Sequence, residues 1–358
     1  MSKVRQGNFF EDFSVGMHIQ HPTPRTLTEG DRSLYIGLTG SRDAIGSAET
    51  VSAALGFEKR PMEDFLVFNI AFGKTVPDIS LNAIANLGYA DVRFVRPVYA
   101  QDTLRVSSDV IGLRETSNGK AGIVYTRSVA TNQRNEEVLT WVRWVMIHKR
   151  NKDEVSGINV IPPLPQEVAV QHFPALQVNA AAEVMFEATR SRFFWEDYSA
   201  GERIDHMSAT TINDSDHSQA TRLYQNTAKA HFDAYTMAAS GMRQRLVYGG
   251  HVISLCKALS YDGLENAICV LAMNGGNHVS PTFSGDTLVC ATQIKEQIEL
   301  GHPHMGALRL RLIAAKNIGA ASKIIFTEKH QGKIEYPPEV VLDLDYVIAI
   351  PKKPNNKV

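Results

Sequence analysis

Apolar positions along the chain follow two periods, and the same succession is read twice. In the first half TLRVSSDVIGL (103–113), GIVYTRSVAT (122–131) and VLTWVRWVMI (138–147) alternate apolar and polar residues. Period two marks strands with one face turned inward. Ahead of them FLVFNIAFG (65–73) is apolar nearly throughout, a pattern that predicts an enclosed helix. In the second half HVISLCKAL (251–259) predicts the matching helix, and TLVCATQI, GALRLRLIAA and SKIIFTE predict the matching strands. A polar loop precedes each apolar helix, and a further helical stretch precedes the loop, with Thr28 or Asp214 as the expected N-cap. One central helix with a run of antiparallel strands is an α+β unit whose sheet packs around the helix.

The parallel between the halves extends to identical residues. FFEDFSVGMHIQ (9–20) recurs as FFWEDYSAGERID (193–205), so that Glu11, Asp12 and Gly16 match Glu196, Asp197 and Gly201, 185 positions on. RPVYAQDTL (96–104) recurs as SPTFSGDTL (280–288), 184 positions on. Two distant anchors with almost one offset indicate a tandem duplication of a unit of roughly 150 residues. Between the copies lies a stretch holding Pro162, Pro163, Pro165 and Pro174. Proline removes ladder donors and breaks helices, so this stretch is expected to be an extended connector. The expected organisation is a first unit over 1–150, a connector over 151–184 and a second unit over 185–358. Two such units in one chain suggest a pseudo-dimer in which pairing covers edge strands.

Composition narrows the class. The chain has 358 residues, 44% of them hydrophobic, and a net charge of -1 with both signs interspersed. There is no basic face for nucleic acid. No run approaches the ~20 apolar residues of a membrane span, and MSKVRQGNFFEDF lacks a signal-peptide core. Cys256, Cys269 and Cys290 lie in apolar surroundings without CxxC spacing, which favours buried free thiols. The expectation is a cytoplasmic globular protein, with no metal or redox cofactor, acting on a small molecule and open to homo-oligomerisation.

The candidate chemistry lies in YQNTAKAHFD (224–233) and LVYGGHVISL (246–255). An imidazole such as His231, with an ordinary pKa near ~6.5, exchanges a proton at neutral pH at little cost. Gly249 and Gly250 open the apolar helix. Either they serve a tight turn needing positive φ, or they let free N–H groups approach a ligand. Asp233, two residues beyond His231, is either a helper carboxylate or a cap. Asp43 either pairs locally or reaches across from the first unit. Arg60 and Arg245 match at offset 185 just before the two central helices, where a guanidinium would suit a substrate carboxylate. Lys74, Arg93 and Arg96 are candidates for meeting phosphates.

Helix, polar loop ending in histidine, Gly-opened apolar helix, then Pro-x-x-x-x-Asp-Thr-Leu before a strand resembles the MaoC-like hot-dog hydratases over nearly the whole chain. The resemblance implies a double hot-dog fold. It puts His231 at the family's catalytic histidine, Asn226 where the family has aspartate, Ala228 at its asparagine, and Gly249 at the glycine that binds the thioester oxygen, with Tyr248 replacing the preceding histidine. In the first unit Ser41 and Gly46 take the aspartate and histidine positions, so that half has lost the imidazole and is expected to shape the acyl pocket. SRDAIG, EDFLVFNIAFGKTVPDISLNAIANLGYA, VLTWVRWVMIHKR and YQNTAKAHF are more specifically similar to the mesaconyl-CoA hydratase (β-methylmalyl-CoA dehydratase) subgroup. That similarity implies reversible water addition to a short, branched, dicarboxylic enoyl-CoA, CoA being part of the substrate. Two other readings stay open on the residues. A hot-dog thioesterase would use a carboxylate such as Glu63 or Asp64. A non-catalytic acyl-CoA-binding protein would fit an amide at 226, since an amide orients water but cannot take its proton.

Overall fold

The computed structural model describes residues 3–354, apart from residues 5, 331 and 332. In the first half β1 (His18–Thr26) is followed by helices α1 (Glu29–Thr39), α2 (Ala44–Ser47), α3 (Glu49–Ala54) and α4 (Asp64–Thr75). Strands β2 (Ala83–Phe94), β3 (Thr103–Glu115), β4 (Ala121–Thr131) and β5 (Glu137–His148) complete it. A short strand β6 (Asn159–Val160) in the connecting stretch pairs with β3, and α5 (Ala181–Thr189) closes that stretch. The second half repeats the order with β7 (Arg203–Thr211), α6 (Asp214–Leu223), α7 (Lys229–Phe232), α8 (Ala234–Ala238), α9 (Gly249–Leu259), β8 (Cys269–His278), β9 (Thr287–Glu299) and β10 (Met305–Lys316). A small hairpin, β11 (Glu328–His330) with β12 (Lys333–Glu335), precedes the final β13 (Val340–Pro351).

All strands but the hairpin form one antiparallel sheet in the order β1-β3-β4-β5-β2-β8-β13-β10-β9-β7. Each half therefore has the same strand order, and the two join edge to edge through β2 and β8, where Tyr89 faces Gly276 and Arg93 faces Ala272. The join leaves neither β2 nor β8 as an exposed edge. Each half-sheet curls round its own helix. From Phe65 to Thr75 every residue of α4 is buried, as expected of a helix apolar on all sides. One core cluster contains Phe68 and Trp141 of the first half with Ile253 and Leu308 of the second, so the halves share an interior. Where α4 crosses α9, Asn69 Nδ2 donates to Ser254 Oγ at 3.0 Å and to the Gly250 carbonyl at 3.1 Å. Asn69 and Ser254 are repeat partners, so this bond lies at the pseudo-symmetry axis.

Three sequence expectations shift. Thr28 does cap α1, but in α6 Asn213 holds the N-cap position without a side-chain cap bond, and Asp214 is the first helical residue. Asn213, not Asp214, is the repeat partner of Thr28. SKIIFTE is not the third strand of the second unit. Its Ile324 packs on Val289 and Ile313 from outside the sheet, and β13 fills the strand position instead. An insertion that carries the β11–β12 hairpin displaced the strand, and VVLDLDYVIAI, with Asp343 and Asp345 set between apolar residues, carries the inward alternation. The seam strands β2 and β8 were not anticipated, because AIANLGYADVRF is broken by glycine, asparagine and aspartate. The three cysteines are free thiols, and among the described residues no helix is long and apolar enough to cross a membrane.

Candidate active site

In the second half α6 ends at Leu223 with Tyr224 as its C-cap, and Gln225 takes a left-handed conformation (φ 52°) that turns the chain sharply. Asn226 follows, buried, and its Oδ1 accepts the Ala228 N–H at 2.9 Å. That bond forms the bend leading into α7, which carries His231. The His231 Nδ1 lies 2.9 Å from the Leu246 carbonyl oxygen. A carbonyl can only accept, so Nδ1 carries the proton and Nε2 is left as a free acceptor. Burial pushes the pKa of this imidazole down to about 4. It is neutral at pH 7, with a lone pair on Nε2.

Tyr248 stands at the N-cap of α9, its ring 5.6 Å from that of His231 and edge-on to it. Its hydroxyl is buried without a hydrogen-bond partner. Gly249 and Gly250 are the first two residues of α9, so their N–H groups have no acceptor within the helix. Neither has positive φ. They are glycines because of close approach: a Cβ on Gly249 would meet the His278 ring at 2.5 Å, and one on Gly250 would meet Asn69 Oδ1 at 2.0 Å. Around this helix start the orphaned buried polar atoms include Tyr248 Oη, His251 Nε2, Asn69 Oδ1 and two nitrogens of Arg143. Unpaired groups are rare in protein interiors, and their clustering here marks a place where a ligand is expected.

The remaining sequence candidates are engaged by other partners. Asp233 caps α8, accepting the Thr236 N–H at 2.9 Å and its hydroxyl at 2.6 Å, and these two bonds hold its carboxyl below the usual range. Arg245 donates to Ser218 Oγ and pairs with Asp214, while Arg60 pairs with Glu29 at 2.7 Å. Glu29 and Asp214 are themselves repeat partners, so the two arginines recur because an ion pair recurs. Arg93 pairs with Asp91, Arg96 with Glu136, and Lys74 donates to Gln225. Three residues at the site were not anticipated: His278, lying over Gly249; Tyr89, whose hydroxyl is 3.4 Å from His278 Nε2; and Arg143. Arg143 had a readable signal, since alternation in WVRWV places it on the same inward face as Trp141. Among the described residues no group of three His, Cys, Asp or Glu side chains could hold a metal ion.

The first half has a different counterpart. A cavity of about 370 Å³ opens there, lined by Asp43, Glu63, Asp64, Phe65, Lys257 and Val270 among others. Gly46 stands where the second half has His231, and Glu63 Oε1 lies 3.0 Å from where its Cβ would be. Glu63 and Asp64 replace Tyr248 and Gly249 at the helix start. Ser41 Oγ donates to Glu63 at 3.0 Å, Asp64 accepts the Val270 N–H at 2.7 Å, and Asp43 pairs across the halves with Lys257 at 3.2 Å. Burial raises Asp64 to about 7, and burial together with the Asp43 charge raises Glu63 well above the carboxylate range. Such groups stabilise the fold while protonated, and that stability is lost as pH climbs from the ordinary values near 4 through the raised ones. Glu63→Gln combined with Asp64→Asn is therefore expected to flatten the decline of Tm between pH 5 and pH 9. The variant should gain on the order of 2 kcal/mol over wild type at pH 9. Parallel Tm curves for the two proteins would refute the assignment.

Comparison with known proteins fits this geometry. A family model described as mesaconyl-CoA hydratase matches residues 2–320. The chain is 45% identical to the β-methylmalyl-CoA dehydratase of Chloroflexus aurantiacus, over 98% of this chain and 99% of that protein. It is 43% identical to the mesaconyl-CoA hydratase of Cereibacter sphaeroides, over 98% and 100%. The crystal structure of a MaoC-domain dehydratase-type protein from Chloroflexus aurantiacus superimposes with a TM-score of 0.93 at 44% identity, covering 99% of this chain and all of that one. A double-hotdog protein from Mycobacterium tuberculosis superimposes with a TM-score of 0.79 at 25% identity, over 97% and 99%. With its duplicated antiparallel sheet, its two central helices and these relatives along nearly its whole length, the chain belongs to the mesaconyl-CoA hydratase family.

Proposed function

We propose that the chain is a hydro-lyase that interconverts mesaconyl-CoA and β-methylmalyl-CoA, with catalysis confined to the second-half site. The observation that carries the location is the free Nε2 of a neutral His231 beside the unpaired N–H groups of Gly249 and Gly250. In the hydration direction Nε2 takes a proton from water while the water oxygen bonds to the carbon β to the thioester. The alkene π pair shifts to the α-carbon and the thioester oxygen. The Gly249 and Gly250 N–H groups hold the charge that develops on that oxygen. The imidazolium then returns the proton to the α-carbon, which completes a syn addition and restores the base. Asn226, its Oδ1 committed to Ala228, offers Nδ2 to orient the water.

The first-half counterpart is unsuited to the same step. It presents the Glu63 and Asp64 carboxyls where an enolate oxygen would have to be bound, and no imidazole. Incubation with mesaconyl-CoA tests the reading: loss of the conjugated thioester absorbance without release of free thiol is expected. Thiol release would make the protein a thioesterase acting through Glu63, and binding without turnover would make it an acyl-CoA receptor.

The protonation state of His231 yields a second check. The base is competent when neutral, so kcat/KM should hold level as pH falls through 6 and decline only as it approaches about 4. An acid limb centred near ~6.5, the ordinary histidine value, would place the base elsewhere.

A further inference from the structure

Arg143 lies near the middle of β5 with no exposed surface. Arginine is almost never buried this completely without a partner, because an uncompensated buried cation is costly. Its Nε and Nη1 have no hydrogen-bond partner, and Nη2 makes only a 3.4 Å contact with Ser80 Oγ. Among the described residues no carboxylate pairs with it, and the titratable groups that bear on it are the hydroxyls of Tyr89 and Tyr248. Its guanidinium carbon stands 4.3 Å from the centroid of Phe72, a cation–π contact that supplies part of the missing compensation.

The position of this cation relates it to the proposed site. Arg143 is paired in register with Tyr89, so the two side chains share one face of the sheet, the face towards α4. Tyr89 lies in the seam strand and reaches His278. Phe72 packs against Tyr89 with ring centroids at 6.0 Å, and against Tyr248 at 5.9 Å. Tyr248 in turn meets His231. The unpaired guanidinium therefore sits one aromatic layer behind the catalytic imidazole, contributed by the opposite half of the chain.

We infer that Arg143 is the receptor for the free carboxylate of the acyl group, the feature that separates a dicarboxylic enoyl-CoA from a simple one. The inference rests on the hydratase reading. Arg60 and Arg245 already have acidic partners, whereas Arg143 has unused N–H donors of the kind that pair with a carboxylate through two bonds. A site built for such a group rejects an analogue lacking it, because the buried donors are then left unmatched. The orphaned Tyr248 hydroxyl, on a ring that meets His231 and within electrostatic reach of Arg143, is placed to share in that recognition.

The test compares mesaconyl-CoA with crotonyl-CoA, which lacks the carboxylate, on wild type, Arg143→Met and Arg143→Lys. Arg143→Met should lose roughly 10³-fold or more in kcat/KM on mesaconyl-CoA, and less than about tenfold on crotonyl-CoA. Arg143→Lys, a point charge without the planar fork, should fall between wild type and Arg143→Met on mesaconyl-CoA, with a smaller loss on crotonyl-CoA than on mesaconyl-CoA. In the absence of ligand, Arg143→Met should melt no lower than wild type, since it removes an unpaired buried charge. Equal losses on both substrates, or unchanged activity on mesaconyl-CoA, would overturn the receptor while leaving the hydratase reading intact. If Arg143→Met fails to fold, the lysine variant decides by the same criterion. Wild-type protein that hydrates crotonyl-CoA as fast as mesaconyl-CoA would instead sink the dicarboxylate reading, and the receptor with it.

Discussion

His231→Ala is expected to lower kcat for mesaconyl-CoA hydration by roughly 10³-fold or more, the scale of a lost general acid–base group. In the proposed mechanism two proton transfers depend on the one imidazole, and among the described residues no carboxylate bonds to it. Asp233, the nearest acid in sequence, is held by Thr236 at the start of α8. Asn226 cannot substitute, because a neutral amide does not accept a proton from water. The cost to the fold should be small. His231 is partly buried on a four-residue helix, and the side-chain bond it loses is the one to the Leu246 carbonyl, worth about 1 kcal/mol. The Ala230 carbonyl still receives the Leu246 N–H, so the loop retains its anchor. Rapid-quench turnover with circular dichroism on the same sample separates the two effects. Retention of more than about a tenth of wild-type turnover in a folded variant would contradict a general base of this kind and remove His231 from the mechanism.

The architecture was largely readable because duplication left two copies of every strong signal. The recurrence of Pro-x-x-x-x-Asp-Thr-Leu ahead of a strand located β3 and β9, and the two apolar runs located α4 and α9. What escaped the reading has physical causes. The seam strands β2 and β8 contain Gly88, Gly275 and Gly276, and sheet pairing across the halves, not alternation, holds them in place. At Gly276 a side chain would press on the Tyr89 ring, with a Cβ only 3.3 Å from it. Strand β13 escaped because an insertion broke the constant offset. The arginines show the opposite case: Arg60 and Arg245 repeat, but so do Glu29 and Asp214, and the recurring ion pair accounts for the recurring charge. Function sits where the repeat fails. His231 against Gly46, Tyr248 against Glu63 and Gly249 against Asp64 are the positions at which the proposed hydration site of one copy faces, in the other, a cavity with raised carboxyl pKa values.

Gly249→Ala is expected to lower both Tm and kcat through a single added methyl group. The new Cβ would stand 2.5 Å from two atoms of the His278 ring, well inside contact distance, so either the ring or the first turn of α9 must move. The backbone N–H survives the substitution, so no donor is lost, and any effect comes from displacement. Overpacking of this kind typically costs ~1–3 kcal/mol in stability. A misplaced oxyanion donor costs roughly 10²–10³ in kcat. A second substitution separates the two roles of the glycine. His278→Ala removes the ring that the methyl strikes, so Gly249→Ala combined with His278→Ala should recover the Tm lost by Gly249→Ala alone. If Gly249 also keeps the helix start open to the thioester oxygen, the double variant should remain well below His278→Ala in kcat, because its Cβ still stands in the substrate's approach. Recovery of turnover to the level of His278→Ala would show instead that the glycine serves packing alone. The donors for the thioester oxygen would then have to be sought away from the N-terminus of α9.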